Sequence, residues 1–119
     1  MVPINFTEKF EQIHEYWTPY IVGELNGQLV KLAKLKGEFV WHNHAEEDEL
    51  FMVVKGELTI EFEDRAVHLE EGEMCIVPKG MEHKPVAPKE CYVMLFEPKS
   101  TTHTGEVEHE LTVKEQKWI

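Results

Sequence analysis

The stretch Gly37–Gly56, "GEFVWHNHAEEDELFMVVKG", sets two histidines one residue apart, packs four acids into the five positions after His44, and then runs apolar. On an extended backbone, side chains at i and i+2 leave the same face. His42 and His44 therefore aim two imidazoles at one point if "FVWHNH" is extended. A lone strand histidine is more often a satisfied polar residue than a ligand. A same-face pair followed by a carboxylate is a different case, and it suits zinc, iron, manganese, nickel or copper. Residue chemistry leaves the carboxylate open. Glu46, Glu47 and Asp48 fall in the predicted hairpin loop, whereas Glu49 opens the next strand, where a ligand is held better. Parity does not separate Asp48 from Glu49, because the strand that follows is apolar on both faces. Phe51 and Val53 lie on one face, and Leu50, Met52 and Val54 on the other.

Outward from this stretch, the chain reads as short strands. "YIVGEL-NG-QLVKLAKL" is two strand-like runs joined by Asn26-Gly27, a strong hairpin signal. Turn signals recur at Gly37, Lys55-Gly56, Glu63-Asp64, Glu71-Gly72, Pro78-Lys79-Gly80 and Pro88-Lys89. Between them lie "FVWH", "LFMVV", "LTIEF", "AVHL", "MCIV" and "YVMLF". Many short strands with no helical pattern between them predict an all-β sandwich or small barrel. Before the strands, "NFTEKFEQIHEYW" predicts a short helix. Asn5 is its cap, Phe6, Phe10, Ile13 and Trp17 lie on one face, and Pro19 stops it. The polar tail predicts a last strand at "ELTV" or a docked arm.

Composition bounds the role. The chain has 119 residues, 42% of them hydrophobic, as expected for one domain with one core. Twelve basic and 23 acidic residues give a net charge of −11, which disfavours nucleic acid and anionic membrane surfaces as partners. No apolar run is long enough to span a bilayer, and the N-terminus lacks a signal-peptide pattern, so a cytoplasmic protein is expected. Cys75 and Cys91 form no CxxC, and each lies in an apolar run, which predicts two buried, reduced thiols. A strand that is apolar on both faces must be covered on both, by the N-terminal helix or by a second subunit, and a homodimer is expected.

Two motifs now carry a resemblance. Gly37, then His42-x-His44, Glu49 and Gly56 resemble the first motif of the cupin superfamily, and Gly72, Pro78-x-Gly80 and His83 resemble the second. The short spacer Glu57 to Glu71 is similar to that of small single-domain, mannose-6-phosphate-isomerase-like cupins. Four residues rather than the usual five separate Gly37 from His42, and Ala87 stands where the family often has Asn. Neither position is a metal ligand in the family.

The resemblance implies a single-domain double-stranded β-helix, a jelly-roll barrel with a short N-terminal helix. Residues 1–18 would form the helical segment, 19–98 the barrel and 99–119 a C-terminal arm. It also implies His42, His44, Glu49 and His83 as ligands of one divalent transition metal (Zn, Fe, Mn or Ni), and so selects Glu49 over Asp48. His14, His68, His103 and His109 remain outside this set.

Four protein ligands on a six-coordinate metal leave two positions for a small-molecule substrate or for dioxygen. An oxygenase or isomerase is expected, and the alternative is a non-catalytic binding or sensing cupin. No second carboxylate or lysine is placed inside the barrel by this reading. Tyr92, or another polar residue facing the pocket from the last strands, is the candidate acid or base, Lys79 and Lys84 are candidate contacts for an anionic substrate, and Val40, Phe51, Val53 and Ile76 or Val77 are the expected apolar wall.

Overall fold

The structure, a computed structural model, describes residues 1–101 and 115–119. One helix, α1 (Phe6–Glu11), precedes β1 (Tyr20–Leu25), β2 (Gln28–Glu38), β3 (Glu49–Lys55), β4 (Leu58–Phe62), β5 (Ala66–Leu69), β6 (Met74–Val77), β7 (His83–Pro98) and β8 (Lys117–Trp118). The strands form a β-sandwich of jelly-roll type. Hydrogen-bonded neighbours run β5-β4-β7-β2-β1-β8, and β3 pairs with both β6 and β7. The long β7 joins the two layers. Its first half pairs with β4, from Phe62↔His83 to Thr59↔Val86, and its second half pairs with β3, from Val53↔Val93 to Leu50↔Phe96.

The hairpin at Asn26-Gly27 forms as expected. Both residues have positive φ (50° and 76°), the conformation a two-residue turn of this kind needs. Two other turn signals resolve differently. Gly37 lies within β2 at a register shift between Leu35 and Gly37, and β7 continues past Pro88 and Lys89. Leu35 faces Cys91 and Gly37 faces Ala87, so the extra β7 residues bulge outward and stay exposed. "ELTV" and both His103 and His109 lie outside the described residues. At the far end of the tail, β8 pairs parallel with β1.

The helix is shorter than its apolar pattern predicts. Asn5 caps it, its side chain accepting from Glu8 N at 3.0 Å, but α1 ends at Glu11 and Gln12 is its C-cap. Phe10 and Ile13 pack outside the sandwich with Val22 and Leu32, joined by Phe6, Val54, Tyr92 and Met94. Trp17 leaves that face. Its φ is 59°, its backbone N donates to Lys34 O at 2.9 Å, and its Nε1 donates to Lys36 O at 2.8 Å. The indole enters the inner core against Phe39, with ring centroids 4.7 Å apart. Burying an indole with its N–H satisfied outweighs another helical turn and the strain of a left-handed tryptophan.

The inner core is filled by alternate residues of the strands. Leu29, Lys31, Ala33 and Leu35 of β2 are buried, as are Phe51 and Val53 of β3 and Cys91, Val93, Leu95 and Glu97 of β7. Two of these residues, Lys31 and Glu97, carry ionisable side chains.

Candidate metal centre

His42 and His83 meet through their backbones. His42 N donates to His83 O at 3.0 Å, and His83 N donates to His42 O at 2.9 Å. This cross-strand bridge stands outside the regular strands. It brings the first motif onto the start of β7 and sets the two imidazoles 4.3 Å apart, centroid to centroid. Gly80 N donates to His44 O at 2.7 Å, which ties the Pro78–Gly80 turn to the second histidine. Lys79 N donates to Asp48 Oδ1 at 2.9 Å, so Asp48 braces the same turn from the loop. Glu49 opens β3 opposite Val77.

His42, His44, Glu49 and His83 are all buried, between 0% and 3% exposed, and one ligand atom from each lies within 4.8 Å of every other. His44 Nε2 is 3.3 Å and His83 Nε2 is 3.5 Å from Glu49 Oε1. The outer nitrogens of two rings are committed elsewhere. His42 Nδ1 bonds Val40 O at 2.9 Å, and His83 Nδ1 bonds Met81 O at 2.8 Å. A carbonyl accepts only, so each Nδ1 carries the hydrogen and each Nε2 presents a lone pair inward. The Nε2 atoms of all three histidines and Oε1 of Glu49 are buried without a hydrogen-bond partner. Buried polar atoms are nearly always satisfied, so four that converge call for a further group. Three imidazole nitrogens and one carboxylate fit a divalent transition metal.

The charges agree with that fit. Burial first, then the neighbouring His83, push the His42 imidazole down to about 4, so it is neutral at ordinary pH and free to ligate. Burial alone would raise Glu49, but the neighbouring Glu97, His44 and His83 side chains hold it well below the usual carboxylate range. Glu97 moves the other way, pushed well up by burial and by the Glu49 charge against the opposing pull of Lys31.

Lys31 and Glu97 are a lysine and a carboxyl group inside the barrel that the sequence reading did not place there. They are 1% and 0% exposed, with Lys31 Nζ 2.7 Å from Glu97 Oε1. Strand parity carried the signal, since Lys31 alternates with Leu29 and Ala33, and Glu97 with Leu95 and Val93.

Beside the histidine and Glu49 cluster lies a small cavity of about 30 Å³. Trp17, Phe39, Phe51, Pro85, Val93 and Leu95 supply much of its wall, and His42 and Glu49 are its polar groups. Tyr92 does not reach it. Its place in β7 puts it on the outer face, stacked on Phe10 at 4.6 Å beneath Lys34 and Lys55. Lys84 pairs with Glu38 and with Glu61, and Lys79 lines a separate outer groove. Of the expected wall, Phe51 and Val53 are buried, Val77 rather than Ile76 faces inward, and Val40 is half-buried. Phe39, which simple alternation sets opposite His42, meets the His42 ring edge-on at 5.5 Å because the backbone is irregular between Glu38 and His42. Glu46 is exposed, while Glu47 accepts from Ser100 Oγ at 3.1 Å. His14 is exposed, and His68 stands on the surface beside Glu57 and Glu70. Both thiols are free. Cys91 is buried, but Cys75 is only half-buried.

Comparison with known proteins places this geometry. Residues 28–97 match the family described as "Cupin domain". The crystal structure of a cupin-2 domain containing protein from Shewanella frigidimarina NCIMB 400 is 48% identical, with a TM-score of 0.80 over 81% of this chain and 94% of that one. Bacillus subtilis (strain 168) YdbB is 36% identical over 74 residues, which is 61% of this chain and 66%, just under two thirds, of that protein. Hydroquinone 1,2-dioxygenase PnpCD, solved with Cd2+ and 4-hydroxybenzonitrile, shares the fold at 18% identity, with a TM-score of 0.65 over 77% of this chain and 70% of its own.

Proposed function

The chain belongs to the cupin family, and on that premise we propose that His42, His44, Glu49 and His83 hold one divalent transition metal and that the protein is a small metal-dependent enzyme of oxygenase type. The observation that carries the metal is the convergence of four buried, unpartnered ligand atoms. When bound, the ion would supply Lewis-acid and redox chemistry at its open positions. The chain's own residues orient and dry that site. Among the described residues, no acid or base other than His42 and Glu49 lines the cavity. An isomerase needs a side chain to move a proton on the substrate, so this wall favours oxygenase over isomerase chemistry. The apolar, aromatic lining from Trp17 and Phe39 suits a small, weakly polar substrate, and the dioxygenase that shares the fold is consistent with that class.

The same lack of a free acid or base supports a second reading, a cupin that binds a small molecule without converting it. Oxygen-electrode assays of Fe(II)-loaded and Zn(II)-loaded protein across a panel of small phenols and ketones, with native mass spectrometry for a co-purified ligand, separate the two. Substrate-dependent oxygen uptake with iron alone is expected. A tightly held, unconverted ligand and no uptake with either metal would favour the binding reading.

We also place residues 19–98 as the barrel, with 1–18 and 99–119 as its flanks, in a cytoplasmic homodimer. The two free thiols fit a reducing compartment. Among the described residues no helix is long and apolar enough to cross a membrane. Val54 and Met94 pack against the cluster of Phe10, Ile13, Val22 and Leu32, while Ile76 pairs with Leu50 and Met74 with Met52 on the same outer face, with Ile76 and Met74 56% and 49% exposed. Sizing at micromolar concentration is expected to give a dimer that Ile76→Glu converts to monomer. A wild type that elutes as monomer removes the dimer.

A further inference from the structure

Lys31 and Glu97 belong neither to the ligand set nor to the cavity wall, yet they are among the most deeply buried side chains of the protein. They sit on neighbouring strands. Lys31 of β2 faces Leu95, and Leu29 faces Glu97, so the two project from the same inner face as diagonal neighbours. Glu97 Oε1 takes the Lys31 ammonium at 2.7 Å, while Glu97 Oε2 is buried with no donor. The pair is thus satisfied on one side only. On its other side stands Glu49: Leu50 of β3 faces Phe96 of β7, so the register carried on by one residue sets Glu49 beside Glu97, both of them buried.

A buried ion pair adds little to stability compared with apolar residues of similar size, because desolvating both charges offsets their attraction. A half-satisfied one adds less. Its placement behind a ligating carboxylate gives it another use. Outer partners of metal ligands fix ligand orientation and basicity. His42 and His83 have such partners in the Val40 and Met81 carbonyls. Glu49, at the start of β3, needs its own.

We propose that Glu97, itself held in place by Lys31, is the positioning residue for Glu49 and sets the affinity of the centre for its metal. This rests on the metal reading of the four ligands. Glu97 is not a catalytic residue, since it touches neither the cavity nor a substrate.

The test is Zn2+ affinity by competition with a chromogenic chelator, together with the visible absorption spectrum of the Co2+-loaded protein. The proteins compared are wild type, E97Q, E97L and the double variant K31M/E97L. The amide introduced by E97Q would keep the side-chain shape, an acceptor for Lys31 and a donor toward Glu49, so this variant is expected to stay within about threefold of wild type. E97L is expected to lose about 10- to 100-fold in Zn2+ affinity and to shift the Co2+ bands. The double variant leaves no unpaired lysine, so it is expected to fold at least as well as E97L and still show the affinity loss. A role confined to folding would lower the melting temperature and leave Zn2+ affinity and the Co2+ spectrum unchanged. Wild-type affinity in a folded E97L or K31M/E97L overturns the proposal while leaving the four-ligand site standing. A wild type that binds neither ion overturns both.

Discussion

Wild-type protein stripped of metal and reloaded with zinc is expected to retain close to one equivalent through gel filtration, and His44→Ala is expected to lose it, with affinity falling by more than about 100-fold. The magnitude follows from scale. Removing an outer partner of a ligand already costs about 10- to 100-fold, and removing the ligand itself costs more. His44 is the informative choice because neither ring nitrogen bonds to the protein scaffold, so its loss disturbs the fold least. His42 and His83 each hold a backbone carbonyl through Nδ1, and substituting them would confuse the two effects. A metal that binds only the folded state stabilises it by about 2.7 kcal/mol at one hundred times its Kd. Thermal unfolding with and without zinc should therefore separate wild type from His44→Ala, while His68→Ala, a surface histidine, behaves as wild type. An equal zinc response in wild type and His44→Ala would remove this site as the place of binding.

The cluster of candidate ligands was legible because most of its pattern is local. His42 and His44 are one residue apart, and the loop to Glu49 is short enough that one motif contains all three. His83 was legible only through the second motif, since nothing in its immediate neighbours points inward. The backbone bridge that pairs it with His42 is long-range and leaves no local trace. The choice of Glu49 over Asp48 likewise needed the family pattern. The structure gives its physical counterpart, since Asp48 faces the Lys79 amide and Glu49 the imidazoles.

Lys31 and Glu97 were equally readable by alternation, but their strands are covered on both faces. Leu32, beside Lys31, is 0% exposed under the N-terminal segment, so β2 shows no wet side against which a buried lysine would stand out. Trp17 was hidden for another reason. Helical spacing fits Phe6, Phe10, Ile13 and Trp17 alike, and only the packing partner, Phe39 across the barrel end, decides that Trp17 turns inward. Contacts between distant segments, rather than local propensity, account for each of these differences.

The glycines of the two motifs look interchangeable in the sequence, and they are expected to differ sharply when replaced. Gly56→Ala is expected to lower stability by about 3 kcal/mol, and Gly72→Ala by only about 1 kcal/mol. Both residues have left-handed backbones, with φ of 90° and 83°. That conformation alone disfavours a side chain by about 1–2 kcal/mol. At Gly72 nothing lies within 4 Å of an added Cβ, so no other penalty arises. At Gly56 the added Cβ would stand 2.9 Å from Glu90 O and 3.3 Å from Cys91 Cα. Both neighbours are backbone, so the chain itself must shift. The segment that must move is the end of the outward bulge of β7, and Cys91 begins the inward-facing series that ends at Glu97. Gly56→Ala should therefore also weaken zinc binding, whereas Gly72→Ala should not. Denaturant unfolding of both variants, with chelator competition on the folded fraction, checks the contrast. Equal destabilisation by the two substitutions would show that the close approach of β7 is not what requires glycine at position 56.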